Sequence, residues 1–142
     1  MKMKYIYLLL LTPILAFSGI NTKQVTDVLS HIKSEKTLSF FSTNKSFIDK
    51  LGVKKANSIK GADVLLFPKG KIDKKLVIVG SYSELQKNKK SIGAIYLKKG
   101  RTQIMFVGER LKKEGLKISD KYKKYLITEC HLNPVCFLKV TK

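Results

Sequence analysis

Apolar residues recur along this chain with two different periods, and the change between them marks helices and strands. Residues 22–35 place valine, leucine and isoleucine side chains three and four positions apart, which predicts an amphipathic helix at the start of the domain. Residues 37–43 contain adjacent phenylalanines between polar residues and predict a strand. The polar end of that strand can cap a helix over residues 44–53.

Two continuous apolar runs follow, and each has the length of a strand that is buried on both faces. The runs cover residues 61–68 and 75–81. Ser81 is placed to cap a helix through residues 82–88, and Glu84, three positions further on, completes a capping box. Alternation of such strands with helices predicts βα units and a sheet that is at least partly parallel.

A hairpin is predicted in the second half of the chain. Residues 92–97 and 102–107 have the composition of strands, and they are joined through Lys-Lys-Gly-Arg. Gly100 in this connection can take the positive φ that a tight hairpin requires. The hairpin adds an antiparallel pair, so the predicted sheet is mixed.

Two short helices are predicted after the hairpin. The first covers residues 108–115 and is closed by Gly115. Ser119 or Asp120 is expected to cap the second, over residues 121–126. The sequence therefore predicts an α/β fold: a small mixed sheet of about five strands with helices packed on it, and a C-terminal β-hairpin followed by two short helices.

The first 18 residues have the layout of a secretory signal peptide. Lys2 and Lys4 precede an apolar run over residues 5–17, and small residues around Ser18 suit cleavage. An uncleaved membrane anchor is the alternative, but Pro13 interrupts a run that is shorter than a spanning helix needs. The prediction is an exported chain, with residues 19–142 forming one domain.

Charge is the most unusual property of the composition. The formal net charge is +19, and 27 of the 29 basic residues are lysines, Arg101 and Arg110 being the exceptions. The scarcity of arginine and the even spread of lysine disfavour nucleic-acid recognition. A solvated lysine surface explains the excess, and attraction to anionic lipid, an envelope polymer or an acidic protein is the alternative.

The two cysteines lie close together near the end of the chain. Cys130 and Cys136 flank an Asn-Pro turn signal, so in an exported protein they are expected to form a disulfide. A metal site would need a fourth ligand besides these cysteines and His131, and the other histidine, His31, is far away in sequence. A free catalytic cysteine remains an alternative, although no Cys-x-x-Cys motif is present.

Motifs of the common enzyme classes do not occur in the sequence. There is no Gly-x-Ser-x-Gly, Gly-x-Gly-x-x-Gly, Walker loop or His-Glu-x-x-His. Only ten acidic residues are present, and none forms an evident pair for acid–base chemistry. The prediction is a protein without catalytic residues, metal or cofactor.

Residues 62–126 resemble the C-terminal half of the YfiR/HmsC-like family. The resemblance rests on the order strand, glycine turn, strand, short basic helix and Gly-Leu-x-Ile-Ser. It implies a small exported protein of a Gram-negative bacterium, in a family whose best-known member is a periplasmic repressor of a membrane-bound diguanylate cyclase. The matching positions are Ile92, Gly93, Gly100, Arg101, Phe106, Gly115, Leu116, Ile118 and Ser119.

This chain departs from that family in the second strand of the hairpin. Family members usually have an acidic residue there with an asparagine two positions later, where this chain has Met105 and Val107. A surface that depended on those polar groups would be missing. A regulatory role is therefore an analogy from fold and location.

The first functional prediction is an exported, non-enzymatic interaction or regulatory module. Its partner would be the periplasmic region of an inner-membrane signalling protein, or another acidic protein, and charge attraction would speed their encounter. An exposed apolar patch near the hairpin would support it. The predicted contacts are four basic side chains, Lys98, Lys99, Arg101 and Arg110.

The alternative prediction is a small binder of an anionic ligand. Lys69 and Lys71 flank Gly70 after a strand of the parallel type, where α/β sheets often bind ligands, and Ser81 ends the next strand. A solvated turn would explain the same residues. A concave pocket with converging donors would support the binding role.

Overall fold

The computed structural model describes residues 19–70, 75–133 and 135–136, where the chain forms a mixed α/β fold. The predicted signal peptide, residues 1–18, lies outside the described residues. The large sheet contains β2 (Phe40–Phe41), β3 (Val64–Leu66), β4 (Leu76–Val79), β5 (Ser91–Lys98), β6 (Arg101–Val107) and β8 (Leu126–Ile127). A small sheet contains β1 (Ile32–Lys33) and β7 (Lys117–Ile118). The helices are α1 (Thr22–Leu29), α2 (Lys45–Ile48), α3 (Tyr82–Lys87), α4 (Gly108–Lys113), a 3₁₀ helix (Asp120–Tyr125) and α5 (Glu129–Leu132).

The large sheet has the strand order β2-β3-β4-β5-β6-β8. The first four strands are parallel, β6 runs antiparallel to β5, and β8 runs parallel to β6. This confirms the predicted small mixed sheet and its hairpin. As a consequence, the amino ends of β2, β3, β4 and β5 lie along one edge of the sheet, and α4 begins at the same edge because β6 runs towards it.

Both faces of the sheet are buried, which explains why the strand sequences are continuously apolar. Neighbouring residues of β3 enter opposite clusters, with Val64 and Leu66 in one and Leu65 in the other. The first cluster includes the apolar faces of α1 and α2, and the second includes Leu85 of α3 and Leu132 of α5. Helices therefore cover both sides of the central strands.

The hairpin turn has the conformation that its sequence predicts. Lys99 and Gly100 both have positive φ, 53° and 75°, as the central residues of a type I′ turn do. Deeper in the hairpin, Gly93 is closely packed: a Cβ atom there would lie 2.5 Å from both the Met105 carbonyl oxygen and the Phe106 ring. Glycine at this position lets β5 and β6 approach with the ring between them.

The predicted helix ends are also present. The Ser81 side chain accepts a hydrogen bond from the Glu84 N–H at 3.1 Å, as the capping box requires. At the end of α4, the Gly115 N–H and the Leu116 N–H donate to carbonyls of the last turn, at 3.1 and 2.9 Å, in a Schellman motif. Gly115 has a φ of 71°, which explains the choice of glycine.

The predicted helix over residues 22–35 is shorter in the structure and ends at Leu29. Ile32 continues the apolar period of the helix, but it pairs with Ile118 in the small sheet. The Ser119 N–H also donates to the His31 carbonyl oxygen at 3.3 Å. A distant strand thus takes over residues that local periodicity assigns to the helix.

The predicted last helix, residues 121–126, is present, but as a 3₁₀ helix that ends at Tyr125. The segment forms the 3₁₀ helix, and Leu126 then begins β8 and pairs with Phe106. Ser119 is the N-cap residue, as predicted, but its side chain donates to the His31 carbonyl oxygen at 3.4 Å and makes no capping bond. Tyr122 is nevertheless buried and packs on the core.

A candidate anion-binding cleft

A cleft of about 640 Å³ opens at the amino edge of the parallel strands. It is formed by the segments that precede β2, β3, β4 and β5, together with the end of α4 and the residues after it. Among the described residues, six basic side chains line it: Lys36, Lys75, Lys89, Lys90, Lys113 and Arg110. Its carboxylates are Asp63 and Glu114. The cleft therefore carries a clear excess of positive charge.

One wall of the cleft is organised by Asp63. Its carboxylate accepts hydrogen bonds from the Ser39 N–H at 2.9 Å and the Ser39 hydroxyl at 3.1 Å, and it forms an ion pair with Lys36 at 2.9 Å. The hydrogen bond from Lys36, supported by those from Ser39, holds the pKa of Asp63 below its ordinary value, against the effect of burial. Asp63 thus joins the starts of β2 and β3 and keeps Lys36 at the cleft.

Lys75 forms part of the same wall through backbone carbonyls. Its ammonium group donates to the carbonyl oxygens of Lys60, at 2.9 Å, and Ala62, at 2.6 Å. These acceptors are neutral, so the positive charge of Lys75 is not cancelled by them. The lysine is held next to the first residue of β4.

The opposite wall is held in place by Arg110. Its Nε and Nη2 donate to the two carboxylate oxygens of Glu129, at 2.6 and 3.1 Å. Its Nη1 donates to the carbonyl oxygens of Leu85, Asn88 and Ser91, at 3.1, 3.1 and 2.9 Å. The guanidinium therefore fixes the segment that carries the two consecutive lysines between α3 and β5.

Arg110 was predicted from sequence as a partner contact, and the structure corrects this. The residue is only 7% exposed, and its guanidinium is used within the chain. The other three predicted contacts, Lys98, Lys99 and Arg101, are exposed at the tip of the hairpin. The structure therefore brings three of the four together and assigns the fourth to the interior.

The predicted ligand loop is not assembled in the described residues. Lys69 is exposed after β3, and Lys71 lies outside the described residues. The Ser81 hydroxyl donates to the Glu84 carboxylate at 3.2 Å, and the Gly80 N–H donates to the same carboxylate oxygen at 3.1 Å. The Glu84 carboxylate thus accepts from the Ser81 hydroxyl, the donor that the prediction assigned to a ligand.

The basic cleft itself was missed by sequence analysis. A signal for it was present, because Lys75 directly precedes the apolar run of β4, and Lys89 and Lys90 directly precede β5. Parallel strands begin at the same edge of a sheet, so lysines at successive strand starts come together. A ligand site was expected only at the carboxyl ends of the strands.

The hairpin lacks the apolar patch that a docking surface of this kind would need. The large hydrophobic residues exposed within the described ranges are Ile59 (42%) and Val135 (54%), and neither belongs to β5 or β6. The accessible surface of the hairpin tip is instead basic.

Cys130 and Cys136 lie at disulfide distance, with their Cα atoms 5.1 Å apart. Cys130 belongs to α5, which the Thr128 side chain caps by accepting from the His131 N–H at 3.2 Å. Residues 19–70, 75–133 and 135–136 contain no cluster of three or more histidine, cysteine or acidic residues suited to a metal ion. In those same residues, no helix has both the length and the apolar character to cross a membrane.

Comparison of the chain with protein-family models, curated proteins and solved structures finds no significant match. The likeness to the YfiR/HmsC-like family therefore stays a prediction that rests on the residues quoted for it.

Proposed function

We propose that the protein binds an anionic ligand in the basic cleft. The observation that supports this most directly is the concentration of six basic side chains and two carboxylates around one concave site. The volume of the cleft, about 640 Å³, is within the range of small-ligand sites. This is the second function predicted from sequence, moved from the carboxyl ends of the strands to their amino ends.

The positive charge of the cleft is incompletely neutralised by the protein. Lys36 is paired with Asp63, and Arg110 with Glu129. Among the described residues, Lys89 and Lys113 have no carboxylate at ion-pair distance. Like charges held near one another raise the free energy of the empty site, so an anion that enters it is favoured by relief of this repulsion.

The proposed location is outside the cytoplasm, in the periplasm. The amino-terminal sequence pattern, the cysteine pair at disulfide distance and the resemblance to a periplasmic family support it. In this setting the proposed role is binding of the ligand without chemical conversion, since Asp63, one of the two carboxylates of the cleft, is already used in hydrogen bonds and an ion pair within the chain.

A second candidate function is contact with an acidic protein, such as the periplasmic region of a membrane signalling protein. It is supported by Lys98, Lys99 and Arg101, which project from one exposed turn. Such a surface would steer association by charge. In regulation in the manner of the YfiR-like repressors, the hairpin tip would contact the partner and the cleft would bind the anionic ligand that acts as the signal.

Isothermal titration calorimetry with pyrophosphate at low ionic strength tests the proposed function. The variant Lys89→Glu/Lys113→Glu should bind at least about tenfold more weakly than the wild type. The matched control is Lys98→Glu/Lys99→Glu, which makes the same charge change at the far end of β5, about 24 Å from the cleft. Equal losses in both variants would mean that only net charge matters, and would contradict a site in the cleft.

The second candidate is tested with the same two variants. Crosslinking of the tagged protein in the native envelope should recover an acidic partner, and recovery should fall for Lys98→Glu/Lys99→Glu and persist for Lys89→Glu/Lys113→Glu. Undiminished recovery with the hairpin variant would exclude the hairpin tip as the contact.

A further inference from the structure

The basic side chains of the cleft are distributed along the sheet edge and are not gathered at one point. Lys36 precedes β2, Lys75 precedes β4, and Lys89 precedes β5. Neighbouring strands are about 4.8 Å apart, so the starts of β2 and β5 are separated by about 14 Å across the sheet. A compact anion beside Lys89 would not contact Lys36 at the other wall, whose ammonium group is paired with Asp63 and whose side chain is 72% exposed.

The groove also continues beyond β2. A second cavity, of about 480 Å³, shares Ser34, Lys36 and Leu38 with the cleft and extends to Lys54. Lys36 therefore lies where the two cavities meet. A ligand that occupied both would lie along the edge of the sheet, with Lys36 near its middle.

We infer that the ligand is a linear oligoanion, a chain with negative groups at intervals that reaches from the Lys36 wall to the Lys89 and Lys113 wall. This inference depends on the proposed function and specifies its ligand class. Lysine ammonium groups act as adaptable point charges, which suits a chain of phosphate or carboxylate groups and does not require one fixed geometry.

The composition of the cleft disfavours a nucleic acid as that chain. Single-stranded nucleic acids are held by stacking of bases on aromatic rings as well as by charge. Among the described residues that line the cleft, none is aromatic. Recognition there would use the repeated charges of the ligand alone.

The test is calorimetric titration with linear phosphates of increasing length, from orthophosphate through pyrophosphate and tripolyphosphate to a chain of roughly ten phosphates, at constant ionic strength. A chain that contacts both walls should bind more tightly, so the affinity per chain should rise by about a hundredfold from orthophosphate to the longest phosphate chain. An oligogalacturonate of matched length is titrated in parallel, and a larger length effect for one series identifies whether phosphate or carboxylate chains are preferred.

Three single substitutions test whether one ligand contacts both walls of the cleft. Lys36→Gln removes a charge from one wall, Lys89→Gln removes a charge from the other, and Lys98→Gln on the hairpin is the matched control. In each cleft variant, the increase in affinity from the shortest to the longest chain should be at least about tenfold smaller than in the wild type. The control should show the wild-type increase. Thermal unfolding of each variant verifies that it is folded.

The outcomes separate this inference from the proposed function. If orthophosphate binds as tightly as the long chains, or if only one wall affects their binding, the extended ligand is wrong while anion binding stands. If no phosphate or uronate binds at any length, both are wrong.

Discussion

Replacement of Arg110 by methionine should destabilise the protein strongly. From the sequence alone, the change would only remove one of 29 basic residues. Methionine is unbranched and fills most of the volume of the arginine side chain, so little is lost through packing. The perturbation is the removal of the guanidinium from its acceptors. These are the Glu129 carboxylate, the carbonyl oxygens of Leu85, Asn88 and Ser91, and the Ser91 hydroxyl oxygen.

The magnitude follows from which acceptors have other partners. The Asn88 carbonyl also accepts from the Ser91 N–H and hydroxyl, and Glu129 is 42% exposed, so water can replace the arginine there. Those two losses should cost little, about 0.5 kcal/mol each. The bonds to Leu85 and Ser91 are buried and come from a charged donor, so each is worth about 1.5 kcal/mol. The expected total is about 4 kcal/mol.

Urea denaturation followed by circular dichroism measures this loss. A decrease of about 4 kcal/mol corresponds to a fall of roughly 2 M in the urea midpoint. Glu129→Gln is the informative comparison, because it weakens the ion pair and leaves the backbone bonds of Arg110 in place. It should cost only about 0.5 to 1 kcal/mol. Lys98→Met, at an exposed cation, should change stability by less than about 0.5 kcal/mol.

Two results would refute the reasoning. If Arg110→Met were within about 1 kcal/mol of the wild type, the buried backbone bonds would not be stabilising. If Glu129→Gln were as destabilising as Arg110→Met, the ion pair would be the dominant interaction, and the burial argument would be wrong.

Three further predictions concern other parts of the fold. Gly93→Ala places a Cβ atom against β6 and should lower the free energy of unfolding by about 1–3 kcal/mol in the same urea assay, whereas a change near zero would show that the strands separate easily. Asp63 has a lowered folded pKa, chiefly through its hydrogen bond with Lys36, so its stabilisation is present above its unfolded pKa and is lost as the pH falls through the folded one. Asp63→Asn should therefore be destabilising at pH 7 and approach the wild type in acid, and a constant difference across the titration would contradict this. Cys130→Ser/Cys136→Ser should lower stability by about 2 kcal/mol or raise amide exchange in α5, and a variant unchanged in both would mean that the pair is not cross-linked.

Sequence analysis predicted best the features that depend on a few neighbouring residues. The positive φ at Gly100, the capping box at Ser81 and the helix end at Gly115 are all confirmed. Each is determined by backbone conformation or by hydrogen bonds within one turn of chain, so local sequence is sufficient. The mixed sheet is confirmed for the same reason, because the apolar runs and their turns indicate both strand type and connection.

Features built from distant segments were not predictable in this way. Arg110 is indistinguishable in sequence from a surface cation, since its acceptors come from α3, the segment before β5, and α5. The cleft requires four segments whose proximity depends on strand order. The differences at residues 30–35 and at Leu126 have a similar origin, because Ile32, Lys33 and Leu126 pair with remote strands.

The pairing of β1 with β7 determines when the chain can finish folding. Ile32 has no strand partner until Ile118 is available, and β6 lacks its outer neighbour until Ile127 is available. A chain that leaves a ribosome or a translocation channel amino end first therefore cannot complete either sheet until most of its length has emerged. Contacts of such large sequence separation slow folding, so both sheets are completed late.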